Sequence, residues 1–362
     1  MFSREKVLIN VMGKKKRSVE FLVSMILLLS LCLATTSHAR EITDMAGRRV
    51  GVPDTIRKVC TDWPIMMYLV YALDPALLAG LNTPFTDDQK RYLAPSVARL
   101  PVIGGFYSKT RVMNMETFLK VKPDVVIAEL YDDMSLNAKV EAMLSKNGIP
   151  VVYVKVDTTR DYPEAFLFLG KLLGREKRAR ALSNYGKTAF SEIERVVASL
   201  SQNRKRLRVY YAEGATGLFT ECQTSFHAEL IELIGAENVH FCSRGGFKVK
   251  GKEAVNLEQV LRYDPDVIIA AEPLFYRSVL RDGRWQNIKA VKNRRIYLPP
   301  RLLFNWFDRP PSFMRLLGMK WLAHSLYPDA YRIDIVKEAQ AFYRLFLHVD
   351  VSADIMRKAV YP

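Results

Sequence analysis

Residues 114–128 read NMETFLKVKPDVVIA, and residues 256–270 read NLEQVLRYDPDVIIA, at a constant offset of 142. Eight of the fifteen positions are identical: Asn, Glu, Leu, Pro, Asp, Val, Ile and Ala. A repeat this long restricts the chain to a fold that builds the same kind of unit twice. Each copy predicts a short helix, then Pro-Asp, then a strand. Asn114 and Asn256 suit the N-cap, where a side-chain oxygen accepts an otherwise unpaired amide. Pro123 and Pro265 end the helix. DVVIA and DVIIA are continuous apolar runs, as strands covered on both faces of a parallel sheet require.

The flanks repeat as well. In the first half, a strand-like Arg57–Thr61 precedes an apolar helix over Pro64–Leu73 and a strand over Leu77–Leu81. A helix over Ser135–Lys146 and a strand over Val151–Val156 follow the first copy. In the second half, Leu207–Ala212 precedes a helix over Phe226–Ile234 and a strand over Val239–Cys242. A helical stretch near Phe275–Leu280 and a strand over Arg295–Leu298 follow the second copy. Strands alternating with helices predict an α/β chain of two lobes, each with a mostly parallel sheet flanked by helices. Between them, Leu182, Tyr185, Ala189, Ile193, Val196 and Val197 recur at helical spacing. That segment predicts one long connecting helix, or two joined near Gly174. The expected division is 1–39 leader, 40–160 N-terminal lobe, 161–204 connector and 205–362 C-terminal lobe. The tail from Ser312 reads as helical, with Met314, Leu317, Trp321 and Leu322 along one face.

The first 39 residues stand apart. Lys14–Arg17 is basic, Phe21–Ala34 is apolar, and Ser37-His38-Ala39 offers small residues where a signal peptidase reads. This order predicts a cleaved secretory signal and a periplasmic mature chain from Arg40. An uncleaved anchor is the plain alternative, although the apolar run is shorter than the ~20 residues of a span. Cys32 raises a lipoprotein alternative, weakened by Leu31 before it; the start is Met1 or Met12. The whole chain carries a net charge of +16, and removing the leader leaves 48 basic and 36 acidic residues, or +12. An exported protein does not meet nucleic acid, so the surplus points to an anionic ligand or surface, or to solubility. Cys60, Cys222 and Cys242 remain in an oxidising compartment. Cys222 and Cys242 lie in the same half; an odd count leaves one thiol over. Neither CxxC nor a zinc-type Cys/His spacing occurs.

These segments resemble the periplasmic binding proteins with a single backbone helix, the class that serves ferric siderophores, haem and corrinoids. Ile42–Val59 is similar to that family's opening hairpin, with Gly47 at the turn. The paired N-x-E-x-x-L-x-x-x-P-D motifs resemble its equivalent helices in the two lobes. HAELIELIGAENV, His227–Val239, is similar to its first C-lobe helix and following strand. The resemblance implies a monomer that binds a small metal chelate and docks on the permease subunits of an ABC importer. It also implies that Glu116 and Glu258, one per lobe, meet arginines of the permease. The plainer role for each is to complement a helix N-terminus. The function expected is capture of an iron chelate of ferric-siderophore type. Haem, a corrinoid, a metal oxyanion or a nickel complex are variants within the class.

A ligand of such a chain lies where loops converge at the C-terminal ends of the strands. That criterion selects Trp63, Phe85, Phe106, Tyr107 and Tyr131 in the first half. In the second it selects Phe247, Tyr276, Arg301, Trp306 and Arg309. Aromatic walls suit a flat or conjugated chelate, and arginines suit its carboxylate or catecholate oxygens. Relatives that complete iron coordination with a His and a Tyr place them in the Gly-rich C-lobe loop and just after the last strand. Here those stretches read SRGGFKVKG and RLLFNWFD and offer neither. His227, at a helix start, could still reach a ligand, and Tyr107, Tyr131 or Tyr276 could ligate haem iron. The sequence shows no nucleophile elbow, His/Asp pairing, phosphate loop or zinc motif. The chain is therefore expected to be no enzyme and to carry no cofactor; a surface sensor or adhesin on the same scaffold is the remaining alternative.

Overall fold

Five strands form the first half, beginning with a hairpin of β1 (Ala39–Thr43) and β2 (Arg49–Pro53). Its tip is closed by the buried Asp44, whose Oδ1 accepts the amides of Ala46 at 3.0 Å and Arg48 at 2.9 Å. Then β3 (Val59–Thr61), β4 (Val125–Glu129) and β5 (Val151–Val154) make a parallel sheet in the order β3-β4-β5. Val59 pairs with Val125, and Val126 with Val151. The predicted strand over Leu77–Leu81 is not a strand but a turn followed by single bridges, Val59 to Leu78 and Leu81 to Val102. Pro75 starts that turn and lacks the amide a ladder needs. This computed structural model describes residues 39–106, 112–131, 134–200, 205–242 and 251–362, so the leader through His38 lies outside the described residues. Among the described residues no helix is long and apolar enough to cross a membrane.

The second half repeats the plan. Strands β6 (Arg208–Ala212), β8 (Glu237–Asn238), β10 (Val267–Ala270) and β11 (Ile296–Tyr297) form a parallel sheet in the order β11-β10-β6-β8. β7 (Phe219–Thr220) and β9 (Glu253–Ala254) make a separate antiparallel pair. The strands expected over Val239–Cys242 and Arg295–Leu298 are shorter and shifted, because the sheet edge needs only a few paired residues. Alternation along each strand explains the layers. Val59, Val125, Ile127, Val209, Tyr211, Val267 and Ile269 face one continuous core. Cys60, Val126 and Ala128 face a smaller cluster with Phe118, and Tyr210, Ile268 and Ala270 face another with Phe275 and Trp285. Each buried valine and isoleucine among them contributes about 1.5–3 kcal/mol against exposure.

The sequence repeat is a structural repeat. Helix α1 (Pro64–Leu73) precedes α2 (Met115–Val121), and α3 (Met134–Ser145) follows β4. The Asn114 side chain caps α2 by accepting from Thr117 N at 2.9 Å. The helix ends at Lys122 with φ 51°. In the second half, Asn256 caps the equivalent helix, Leu257–Tyr263, by accepting from Gln259 N at 2.8 Å; that helix ends at Asp264 with φ 37°. Both copies therefore close with a left-handed residue directly before proline.

Of the two forms expected for the connector, the structure has the joined pair: α4 (Tyr162–Leu173) and α5 (Glu176–Ser199). Gly174 adopts φ 65°, which a side chain would disfavour, and ends α4. A Cβ on Gly170 would come within 2.2 Å of Ala179 Cβ, so the two helices touch backbone to side chain at this turn. At 1.5 Å per residue α5 is about 36 Å long. After it come α6 (Glu229–Leu233), α7 (Leu257–Tyr263) and α8 (Pro273–Val279), then the tail helices α9 (Arg315–Leu326), α10 (Ile335–Leu347) and α11 (Ala353–Val360). Helix α9 is buried nearly all round rather than on one face. Lys320 on α9 is buried and ion-paired with Glu192 of α5 at 3.0 Å and Glu338 of α10 at 2.6 Å, which locks the tail to the connector.

Candidate binding cleft

A cavity of about 460 Å³ opens where β3 and β4 end against the turn before α6 and the loop before α9. The first half supplies Trp63, Ile65, Glu129 and Tyr131. The second supplies Phe226, His227, Arg309, Pro310 and Pro311. The polar side chains among these nine are Glu129, Tyr131, His227 and Arg309; the rest present apolar surface. Trp63 arrives at the cavity because β3 runs straight into α1, whose N1 proline fixes the entry. The buried Asn82 holds this corner: its amide nitrogen donates to Thr61 O at 2.6 Å and Gly104 O at 2.7 Å. Tyr131 is set by Asn137, which accepts the Tyr131 amide at 3.3 Å and donates to its carbonyl at 2.8 Å.

The charged floor is denser than the sequence suggests. Asp62 is fully buried, its Oδ2 accepts from Glu129 N at 3.0 Å, and its Oδ1 has no hydrogen-bond partner. Burial raises its carboxyl well above the ordinary range, and the Glu129 carboxylate adds to the rise. On the other side, Arg309 Nε donates to Glu213 Oε1 at 2.8 Å, and Nη2 donates to Glu213 Oε2 at 3.2 Å and also to Glu221. Asp308 lies 3.3 Å from the same Nε. Glu213, Glu221 and Asp308 are all fully buried. Burial lowers the affinity of Arg309 for its proton, but Glu213, Asp308 and Glu221 outweigh it and hold the guanidinium charged. Burial raises the Glu221 carboxyl above its ordinary value; Ser225, His227 and Arg309 oppose the rise and Glu213 adds to it. His227 Nδ1 donates to both Asp308 oxygens, at 2.8 and 2.9 Å, since a carboxylate can only accept. That leaves His227 Nε2 facing Arg309 Nη1 at 3.5 Å. Asp308 also accepts from Arg315 Nη2 at 3.2 Å, and Arg315 Nε donates to Phe307 O at 3.0 Å.

Of the residues expected in the cleft, Trp63, Tyr131 and Arg309 line this cavity. The others described do not. Phe85 is buried, 6.2 Å between ring centres from Phe304. Phe106 packs edge-on against Phe118 at 6.0 Å. Tyr276 packs against the outer cluster of the second sheet, and Arg301 donates to Ala271 O. Trp306 has no exposed surface; its Nε1 donates to Tyr343 OH at 3.0 Å, because the loop that carries it folds under α9. Tyr107 and Phe247 lie outside the described residues. Sequence reasoning left out Ile65, Phe226, Pro310 and Pro311, and it passed over Glu129 as a strand residue. The Arg-Pro-Pro run and the Phe-His pair at a helix start were the signals that marked the second-half wall. Cys222 and Cys242 form a disulfide and Cys60 is the free, buried thiol.

Residues 107–301 match the sequence profile of the periplasmic binding protein family. An ABC transporter solute binding protein from Sulfurospirillum deleyianum is 38% identical, with a TM-score of 0.80 over 88% of this chain and 98% of that one. A periplasmic solute binding protein from Veillonella parvula is 25% identical, with a TM-score of 0.74 over 89% of this chain and 97% of that one. The molybdate-binding protein MolA of Haemophilus influenzae is 26% identical over 359 residues, covering 91% of this chain and 97% of its own.

Proposed function

This chain belongs to the periplasmic binding protein family, as the solute-binding component of an ABC importer and not an enzyme, and on that premise we propose that its solute is a metal chelate of ferric-siderophore type held in the cavity between Trp63 and Arg309. In this reading residues 40–160 and 205–362 are the two lobes, 161–204 is their connector, and residues 1–39 are an export signal cut after Ala39.

The observation that carries the proposal is the make-up of the cavity. About 460 Å³ walled by Trp63, Tyr131, Phe226 and two prolines suits a compact ligand with an organic shell. The convergent polar groups, His227 and Arg309, give it orientation. Asp308 fixes one histidine nitrogen, which sets the ring at the cavity wall with its other nitrogen beside Arg309. A second reading, a bare oxyanion, is favoured by the likeness to the molybdate-binding protein. Against it, Arg309 already faces three buried carboxylates and brings little uncompensated positive charge to the cavity.

Docking is proposed from the repeated helices. Glu116 and Leu119 are exposed on α2, and Glu258 and Leu261 occupy the equivalent exposed positions on α7. Two matching acid-plus-leucine faces suit a permease built from two like subunits, each with a basic side chain beside an apolar one.

Trp63 supplies the test. Of the four tryptophans it alone lines the cavity; Trp285, Trp306 and Trp321 are buried at 2%, 0% and 3% exposure. A ferric siderophore should quench the fluorescence of the native protein, and Trp63→Phe should remove that quenching. Titrations with haem, cobalamin, molybdate and nickel–histidine run alongside. Saturable binding of molybdate alone would establish the second reading. Quenching that survives Trp63→Phe would place the ligand elsewhere and end the proposal for this cavity.

A further inference from the structure

A second cavity, of about 600 Å³, lies outside the cleft. It lies at the opposite, N-terminal edge of the second sheet, between the end of α5, the chain entering β6, the end of α6, Arg295 before β11 and the end of α9. We propose that this cavity is a second binding site, one that takes a small amphipathic monocarboxylate with a short hydrocarbon body. The proposal is independent of what the cleft binds.

Its walls are aliphatic, from Val197, Leu200, Leu207 and Leu326. Its cations are Lys205, Arg206 and Arg295. Clusters of cations at helix ends often only complement the carbonyl ends of helices, and Arg206 does so: it donates to Gly235 O at 3.2 Å and to Ala236 O, and pairs with Glu232. Arg295 and Lys205 make no such bonds and no ion pair among the described residues. Tyr327 adds a more telling feature. Its hydroxyl is buried and has no hydrogen-bond partner, although it stands in the field of Arg206 and Arg295. Burial pushes that phenol up to about 12, so it is a donor at neutral pH. A buried donor left unpaired costs about 1–3 kcal/mol, and because the hydroxyl is itself covered, a ligand oxygen removes that cost with a turn of the Tyr327 ring toward the cavity. The site thus holds a donor without an acceptor, beside a guanidinium that is hydrogen-bonded to no carboxylate, although Asp266, itself paired with Lys289, lies within its field.

Charge and wall together select the ligand. Glu232 pairs with Arg206, and Asp329 pairs at 3.2 Å with Arg332, so Lys205 and Arg295 are left to attract an anion. The aliphatic wall then asks for a hydrocarbon part beside the carboxylate, which inorganic anions lack.

Calorimetry on the full chain tests this with hexanoate, its neutral amide and inorganic phosphate. Hexanoate should bind saturably, and hexanamide and phosphate at least about tenfold more weakly. Arg295→Gln should weaken hexanoate about tenfold, and Tyr327→Phe severalfold, with melting temperatures confirming both folds. Binding that ignores Arg295→Gln, a preference for hexanamide or phosphate, or no saturable hexanoate binding would each overturn the proposal.

Discussion

Arg309→Ala should cost stability as well as affinity, because the arginine is the shared counter-charge of a buried acid cluster. Glu213, Glu221 and Asp308 have no exposed surface, and all three lie within ion-pair distance of its guanidinium. Removing one partner from a buried ion pair typically costs about 3–5 kcal/mol, since the charge left behind cannot be rehydrated. Several compensations remain here. Lys252 Nζ stays 3.4 Å from Glu213, Ser225 Oγ donates to Glu221 at 2.7 Å, and Arg315 stays on Asp308. The lower end, about 3 kcal/mol, is therefore expected. At about 2 °C per kcal/mol for a chain this long, the melting temperature should fall by about 6 °C. The pH dependence identifies the cause. Without Arg309, burial raises the Glu221 carboxyl still further above its value in the unfolded chain. The folded state then binds more protons than the unfolded one, so stability falls as pH rises through that raised value and recovers as pH drops below it. Thermal melts of both proteins should show a large deficit near pH 8 and a smaller one near pH 5. Adding Glu221→Gln to Arg309→Ala should recover part of the loss. A deficit under about 1 kcal/mol, or one of equal size at both pH values, would refute the view that this arginine balances buried charge.

Two further outcomes follow from the geometry. Gly318→Ala on α9 would put a methyl carbon 1.9 Å from the Trp306 carbonyl oxygen, a backbone atom that cannot swing aside, so denaturant melts should show a loss of about 1–3 kcal/mol or more; an unchanged midpoint would mean that the loop does not pass this close. Glu116→Ala with Glu258→Ala should abolish solute uptake by the importer while leaving the dissociation constant of the isolated protein unchanged; normal uptake would remove both residues from docking.

What the sequence discloses tracks how local the determining physics is. The helix–strand repeat was legible because cap, stop and buried strand lie within fifteen consecutive residues, and Asn114 and Asn256 cap as read. The break at Gly174 was only half legible: a left-handed C-cap is written in one residue, but the apolar spacing on either side also allowed one unbroken helix. The strand expected over Val239–Cys242 was misplaced and the one over Arg295–Leu298 overextended, because an apolar run shows that a segment is buried, not which of its residues pair with a neighbour. The Cys222–Cys242 bond depended on how two loops meet, which spacing alone leaves open.

The cleft shows the same limit more sharply. Loops generally run on the surface, which is why PPRLLFNWFDRPPS reads as a ligand-binding loop. In the fold this loop is instead roofed by α9 and α10. Its backbone is satisfied inside the protein, with Trp306 N donating to Pro300 O at 3.0 Å and Phe307 N to Asn305 Oδ1 at 2.8 Å. Arg315 from α9 reaches down to Phe307 O. A loop paired in this way can bury Leu303, Phe304, Trp306 and Phe307 as core and expose only its far end, Arg309 to Pro311, to the cavity. The information that separates Trp306 from Arg309 therefore lies in Gly318, Arg315 and Tyr343, residues of two later helices. The side chains that carry recognition are selected by partners far along the chain, and the cavity's arginine arrives already bound to Glu213 and Glu221, from the β6 and β7 ends of the second half.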